Sequence, residues 1–250
     1  MSPEPDSFLG GRLHLRQPPR GAHRAGTDAV LLARLMTFEE GAAVYDLGAA
    51  TGAVGLAAAS LSPGCRVVLV EREPSLAAMA RENGSANGLD GRVSVIEADL
   101  LAPGAQRRAV GLLPGSADAV LTNPPFFEAG VHRPSPVPEK ASAHSFAAGG
   151  LDAWLRTCAD LLRPGGRLGL IHRADALPAC LAAMSGRFGD GAVRPVHARA
   201  DRAAIRILIA AVKGSRAPLR LLPPLVLQDE TGRFTPEAEA LHRGDPWPPR

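Results

Sequence analysis

The chain is short of lysine. Lys140 and Lys213 are the only lysines among its 28 Lys and Arg residues, so its positive charge is almost wholly arginine. It is also short of cysteine. Cys65, Cys158 and Cys180 are odd in number, far apart, and lack the paired spacing of a disulfide framework or a zinc site, so buried free thiols are expected. No uncharged apolar stretch approaches the length that spans a bilayer, and Met1 to Phe8 carry no basic cluster leading into an apolar run. No two of the seven histidines stand at helical metal-ligand spacing, and there is no internal repeat. These absences argue against a secreted disulfide scaffold, a zinc module, a metalloenzyme, a repeat array and a membrane-spanning helix. The expectation is a soluble, cytoplasmic, monomeric protein with no metal and no membrane partner.

What is present is enough for one sizeable core: 250 residues, 46% of them hydrophobic. The compositional breaks are a Pro/Arg-rich opening and a Pro-rich close, so we expect a leader over residues 1–40, a central domain over 41–213, and an extension over 214–250 packed on that domain. Net charge is only +3, yet the pI is about 9.1, which leans towards anionic partners. Arg12, Arg16, Arg20 and Arg24, with His23 beside the last, can contact phosphate or simply form a solvated leader.

Short β-rich runs recur at Ala43–Leu47, Arg66–Val70, Arg92–Glu97, Ala119–Thr122, Arg167–His172, Val193–Arg199 and Ile205–Val212. Between them, Val54–Leu61, Pro74–Asn87, Leu151–Leu162 and Ala176–Arg187 carry apolar residues at helical spacing, and Leu162-Arg163-Pro164-Gly165-Gly166 reads as a helix stop turning into a strand. The alternation predicts an α/β fold with a seven-stranded, mostly parallel sheet, helices on both faces and ligand sites at the carboxyl ends of the strands. The last two strands are joined too closely for a parallel crossover, so they must form a terminal antiparallel hairpin.

The first strand runs into Asp46-Leu47-Gly48-Ala49-Ala50-Thr51-Gly52-Ala53-Val54-Gly55, a glycine-rich strand-to-helix turn that is either a tight connection or a cofactor cradle. A dinucleotide fingerprint fits poorly, because counting from Gly48 puts Ala50 and Ala53 where its other two glycines belong. Glu71 ends the second strand, nineteen positions after Gly52, where a carboxylate can accept both hydroxyls of a ribose or merely face solvent. Asp99 follows the third strand and can accept from an adenine amine. The fourth strand delivers Asn123-Pro124-Pro125-Phe126. Its two prolines stiffen the backbone, so that Asn123 and the Pro124 carbonyl become fixed acceptors matching the two donors of a planar NH2 group; the alternative is a rigid turn.

In order and spacing, Asp46 to Gly55, Glu71, Asp99 and Asn123 to Phe126 resemble the motifs of Rossmann-like amino-methyltransferases. Gly26-Thr27-Asp28-Ala29-Val30-Leu31-Leu32, with Asn123-Pro124-Pro125-Phe126-Phe127 and Gly130, is similar to the bacterial tRNA1(Val) (adenine-37-N6)-methyltransferase family, over roughly residues 9–245. The resemblance implies S-adenosylmethionine as cofactor and, as acceptor, the exocyclic N6 of an adenine in a tRNA anticodon loop, with RNA rather than DNA as partner. It implies that Asp46, Gly48 and Gly52 shape the methionine end of the pocket, Glu71 holds the ribose and Asp99 the adenine. It further implies that Asn123 and Pro124 hold the amine, Phe126 stacks on the base, and Thr27 and Asp28 belong to a leader covering the cofactor.

Two residues depart from that family. It usually has glycine where this chain has Ala50, whose methyl group clears the cofactor if the backbone keeps negative φ, and tyrosine where this chain has Phe126. The Phe variant also occurs in enzymes methylating rRNA guanine, so guanine-N2 and protein-glutamine-N5 transfer stay open, as does a homologue that binds without catalysis. Glutamine-modifying relatives usually carry a helical domain in front, for which the forty residues before the first strand leave little room.

Overall fold

The computed structural model of the chain describes residues 5–19, 24–125 and 150–247. A short hairpin, β1 (Asp6–Phe8) and β2 (Leu13–Leu15), opens the chain and is followed by α1 (Thr27–Ala33). Then β3 (Ala43–Leu47), α2 (Ala53–Leu61), β4 (Arg66–Glu71), α3 (Pro74–Ala86), β5 (Val93–Glu97), α4 (Gly104–Ala109) and β6 (Ala117–Thr122) alternate. After the undescribed stretch come α5 (Gly150–Leu161), β7 (Leu162–Arg173), α6 (Leu177–Met184), β8 (Phe188–His197) and β9 (Ala204–Lys213). Two-residue strands β10 (Arg220–Leu221) and β11 (Leu225–Val226) and helix α7 (Pro236–His242) complete the described chain.

The main sheet has the order β10-β8-β9-β7-β6-β3-β4-β5, with β11 also on β8. Strands β3 to β7 are mutually parallel, while β9 lies between β7 and β8 and runs antiparallel to both. The seven strands expected from sequence are all present, and the close connection between the last two does make an antiparallel pair. That pair is not a simple edge appendage: the later strand is the inner one. The sheet also extends beyond seven strands, because β10 and β11 add to β8 in parallel. They are too short to leave a period-two signal, as are β1 and β2.

The expected stop at residues 162–166 is a bulge inside β7. Its ladder with β6 pairs Ala117 with Leu162 and resumes only at Ala119 with Arg167. Gly165 takes a φ of +74°, and a Cβ on Gly166 would stand 2.9 Å from the Arg163 carbonyl oxygen, so this turn requires glycine.

Alternate residues feed two cores, one on each face of the sheet. Leu69, Leu121, Ile171 and Leu208 point to the side covered by α1 and α2, whereas Leu47, Val70, Val120, Leu170 and Ile209 point to the side covered by α5 and α6. Each fully buried leucine contributes about 1.5–3 kcal/mol, so the strand ends carrying the candidate site rest on well-anchored supports. Helix α2 lies close on the sheet: a Cβ on Gly55 would stand 2.2 Å from Leu69 Cδ2. The three cysteines are buried free thiols, and none of the described helices is long and apolar enough to cross a membrane.

Candidate active site

The parallel register aligns the carboxyl ends of the strands. Leu47 stands opposite Val70 and Thr122, and Glu71 opposite Glu97. The segments leaving these ends therefore share one edge of the sheet, and that edge holds Gly48, Glu71, Asp99 and Asn123. The amides of Gly48 and Ala49 both donate to the Val70 carbonyl, at 2.9 and 3.0 Å, which folds the glycine-rich turn across the end of β4. Gly52 closes the turn by donating to the Ala49 carbonyl at 2.7 Å.

Three residues in five take left-handed backbone: Gly48 at φ +77°, Ala50 at +47° and Gly52 at +84°. A Cβ on Gly48 would meet the Trp154 ring at 3.1 Å, and one on Gly52 would meet Leu69 Cδ1 at 2.9 Å. The backbone of Ala50 does not keep the negative φ under which its methyl group would clear the cofactor. It adopts the conformation that glycine would adopt here, and a left-handed alanine carries a strain of about 1–2 kcal/mol.

Asp46 is 1% exposed, and its Oδ2 accepts from the Gly55 amide at 2.8 Å, tying the first turn of α2 to β3. Burial pushes its carboxyl up to about 7; the Gly55 amide opposes that shift and the charge of Glu71 adds to it. Glu71 braces the turn from the neighbouring strand. Its Oε2 accepts from the Ala50 amide and its Oε1 from the Glu73 amide, both at 2.8 Å. Each oxygen keeps one acceptor position, the pair that a vicinal diol needs. Asp99 is exposed; its Oδ1 accepts from the Leu101 amide at 2.8 Å, leaving Oδ2 without a hydrogen-bond donor among the described residues.

At the end of β6, the Thr122 hydroxyl donates to the Leu47 carbonyl at 2.8 Å and accepts from Trp154 Nε1 at 2.9 Å. This buried relay pins the residue immediately before Asn123. Asn123 and Pro125 are partly exposed and Pro124 is buried, whereas Phe126, Phe127, Gly130 and Lys140 lie outside the described residues, as do Arg20 and His23. Buried His172 lies two positions beyond Leu170, the β7 partner of Thr122, and thus level with Pro124. Its Nδ1 accepts from the Arg173 amide at 2.9 Å, and burial lowers its pKa, so the imidazole is neutral.

The leader reaches the same edge. Thr27 Oγ1 pairs with His242 Nε2 at 3.1 Å, and Asp28 Oδ2 accepts from Arg206 Nε at 2.8 Å. Arg206 is opposite Arg173, at the carboxyl end of β7. Upstream, Asn83 is fully engaged. Its Oδ1 accepts from the Arg16 amide, and its Nδ2 donates to the Arg16 and Thr51 carbonyls, at 2.8, 3.0 and 2.9 Å. One turn later Asn87 bonds the amide and carbonyl of His14 in the same manner. The two asparagines thus serve β2 as a surrogate strand and couple it to the glycine-rich turn.

Trp154, Thr122, His172 and Asn83 escaped sequence reading. The available signals were slight: one of only two tryptophans, a threonine directly before the proline pair, and two asparagines spaced i,i+4 on one helix.

The profile of the methyltransferase small domain matches residues 24–193, well over half of the chain. The tRNA1(Val) (adenine(37)-N6)-methyltransferase of Aeromonas hydrophila is 34% identical over 155 residues, covering 61% of this chain and 60% of that protein. A release factor glutamine methyltransferase of Moorella thermoacetica is 32% identical over 189 residues, covering 72% and 64%. The chain therefore spans about three fifths of the length of the first of these relatives. Among solved structures, a protein of Agrobacterium tumefaciens described as a predicted O-methyltransferase superimposes with a TM-score of 0.75 at 30% identity, covering 89% of this chain and 99% of that one. By the match of its family model and by these likenesses, the chain belongs to the methyltransferase small domain family, whose cofactor is S-adenosylmethionine.

Proposed function

We propose that this chain transfers the methyl group of S-adenosylmethionine to the exocyclic N6 of an adenine in tRNA, with an anticodon loop as the substrate region. The observation that carries the reading is the placement of Asn123-Pro124 beside the Gly48 turn, on a strand end locked by the Trp154–Thr122–Leu47 relay. The adenine-specific relative from Aeromonas supports that choice of acceptor. The glutamine-specific relative makes a protein amide the second reading, since such an amide offers the same planar NH2 group.

The residues present suit the cofactor. Glu71 has one open acceptor position on each oxygen for a ribose diol, and Asp99 Oδ2 is available for an adenine amine on the adjacent strand. Asp46 is too deeply buried to act as a surface ligand, so it shapes the methionine end by holding Gly55 and the turn in place. Thr27 and Asp28, held at this edge by His242 and Arg206, belong to a leader that covers the pocket.

When bound, S-adenosylmethionine supplies the methyl group together with its own leaving group, so the protein needs no nucleophilic side chain. An adenine amine is a poor nucleophile because its lone pair is delocalised into the ring. Acceptors at Asn123 Oδ1 and the Pro124 carbonyl draw its two N–H bonds into a fixed geometry, favour the localised lone pair and stabilise the positive charge growing on nitrogen. Alignment and exclusion of bulk water provide the rest of the acceleration, and once the methyl group has moved the nitrogen gives up one proton to water. The resemblance gives Phe126, outside the described residues, the part of stacking on the extruded base, which would offset some of the few kcal/mol of lost stacking.

The experiment is methylation of bulk tRNA by the purified protein with isotopically labelled cofactor, followed by mass spectrometry of the nucleosides. Labelled N6-methyladenosine is the expected product. Label in N2-methylguanosine, or in a protein glutamine when a translation extract is offered, would reassign the acceptor.

A further inference from the structure

The opposite edge of the sheet carries a cleft of its own. At the amino ends of the parallel strands, opposite the Gly48 turn, the segment after α1 borders a cleft of about 420 Å³ whose walls include Arg34, Arg167, Arg220, Asp190 and Trp247. Arg167 faces Ala119 across the β6–β7 ladder, three residues or about 10 Å before the Thr122 level, so the cleft is separate from the methyl-transfer edge.

Its polar groups are almost all donors. Arg34 is only 8% exposed, its Nε is enclosed without an acceptor, and none of its guanidinium N–H groups has a hydrogen-bond acceptor among the described residues. Trp247 Nε1 is likewise enclosed and unpaired, and the ring of that tryptophan is held under the Arg194 guanidinium at 4.5 Å from its centroid. Neither side chain can accept a hydrogen bond. Arg167 is oriented over the cleft by donating to the Thr37 carbonyl at 2.7 Å. The one acidic lining residue, Asp190, faces Arg220 in an exposed pair at 3.3 Å, and Asp245 near Arg34 is shared with Arg243 at 3.4 Å. Three arginines against one aspartate leave the lining net positive. Buried donors without acceptors are costly, and an acceptor-rich anion is the ligand that suits a cleft lined by them.

We propose that this cleft binds a phosphate-type oxyanion, anchored by Arg34 and flanked by Arg167 and Arg220. The group is either a free phosphate or phosphate ester, or a backbone phosphate of a bound RNA; the chemistry of recognition is the same. The site does not depend on which acceptor is methylated at the other edge.

The test is calorimetric titration of the full chain with inorganic phosphate against chloride at equal ionic strength, for wild type, Arg34→Gln and Arg220→Gln. Saturable phosphate binding is expected, weakened at least tenfold by Arg34→Gln and severalfold by Arg220→Gln. Arg220 is well exposed, so its substitution keeps the test decisive should Arg34→Gln fold poorly. S-adenosylmethionine affinity, measured in parallel, stays at the wild-type value in both variants. Competition between phosphate and bulk tRNA, with weaker tRNA binding by Arg34→Gln, identifies the RNA backbone as the source; unchanged tRNA binding identifies the free ligand. No saturable binding above the chloride control, or equal binding by all three proteins, overturns the proposal.

Discussion

The backbone amide of Ala50 donates to Oε2 of Glu71 at 2.8 Å while Ala50 itself sits at φ +47°. The glycine-rich turn and the Glu71 carboxylate are thus one unit, and the turn is strained at its centre. Relieving an alanine of left-handed backbone gains about 1–2 kcal/mol, and the extra freedom of glycine in the unfolded chain returns about 0.5–1 of that. Ala50→Gly should therefore raise stability by about 0.5–1 kcal/mol in urea unfolding and leave cofactor affinity unchanged or improved. A marked loss of affinity would show that the alanine usefully stiffens the turn.

Glu71→Gln replaces one acceptor oxygen by an NH2 group, which then confronts the amide of either Ala50 or Glu73. Calorimetry with S-adenosylmethionine should show at least a tenfold loss of affinity, about 1.4 kcal/mol. Wild-type affinity in this variant would remove Glu71 from the binding site.

Much of this architecture was legible in the sequence. The β3 bounds are those read from the β-rich run Ala43–Leu47, because a buried parallel strand between turn signals leaves little choice. Gly48, Glu71, Asp99 and Asn123 share one edge because each ends or follows a strand, and parallel register brings strand ends together. The supports of the site were not legible. Trp154 is distant in sequence from Thr122 and Gly48, and the bonding of Asn83 and Asn87 to Arg16 and His14 spans some seventy residues, with no local pattern to betray it. The sign of φ at Ala50 was likewise invisible, since it is set by the turn and by Glu71 rather than by the alanine.

Asp46 makes stability depend on pH. Its folded carboxyl holds its proton up to about 7, whereas the ordinary value is 3.8, so the folded state carries the extra proton between those limits. Stability from this group falls as pH rises from about 4 to about 7 and changes no further above that range. Asp46→Asn keeps an oxygen for the Gly55 amide and does not titrate. Urea unfolding at pH 5 and pH 8 should show the stability difference between the variant and the wild type shifting in favour of the variant at the higher pH. An identical difference at both values would mean that Asp46 does not titrate in this range.

Trp154→Phe retains an aromatic ring but removes the donor to Thr122 Oγ1. Loss of one such bond should cost about 1 kcal/mol of stability, and the loosened strand end should lower turnover severalfold at unchanged cofactor affinity. Stability and turnover both equal to wild type would remove the relay from the account of how Asn123 is positioned.

In the proposed mechanism Asn123 accepts from the target amine chiefly in the transition state. The most direct test of this is the single-turnover rate of tRNA methylation at saturating S-adenosylmethionine for wild type and Asn123→Ala, with cofactor affinity and melting temperature recorded on the same samples. The expected rate is at least about 100-fold lower, a loss of about 2.7 kcal/mol of transition-state stabilisation, in a variant that folds and binds the cofactor normally. A folded, cofactor-binding variant that methylates tRNA at the wild-type rate would contradict it.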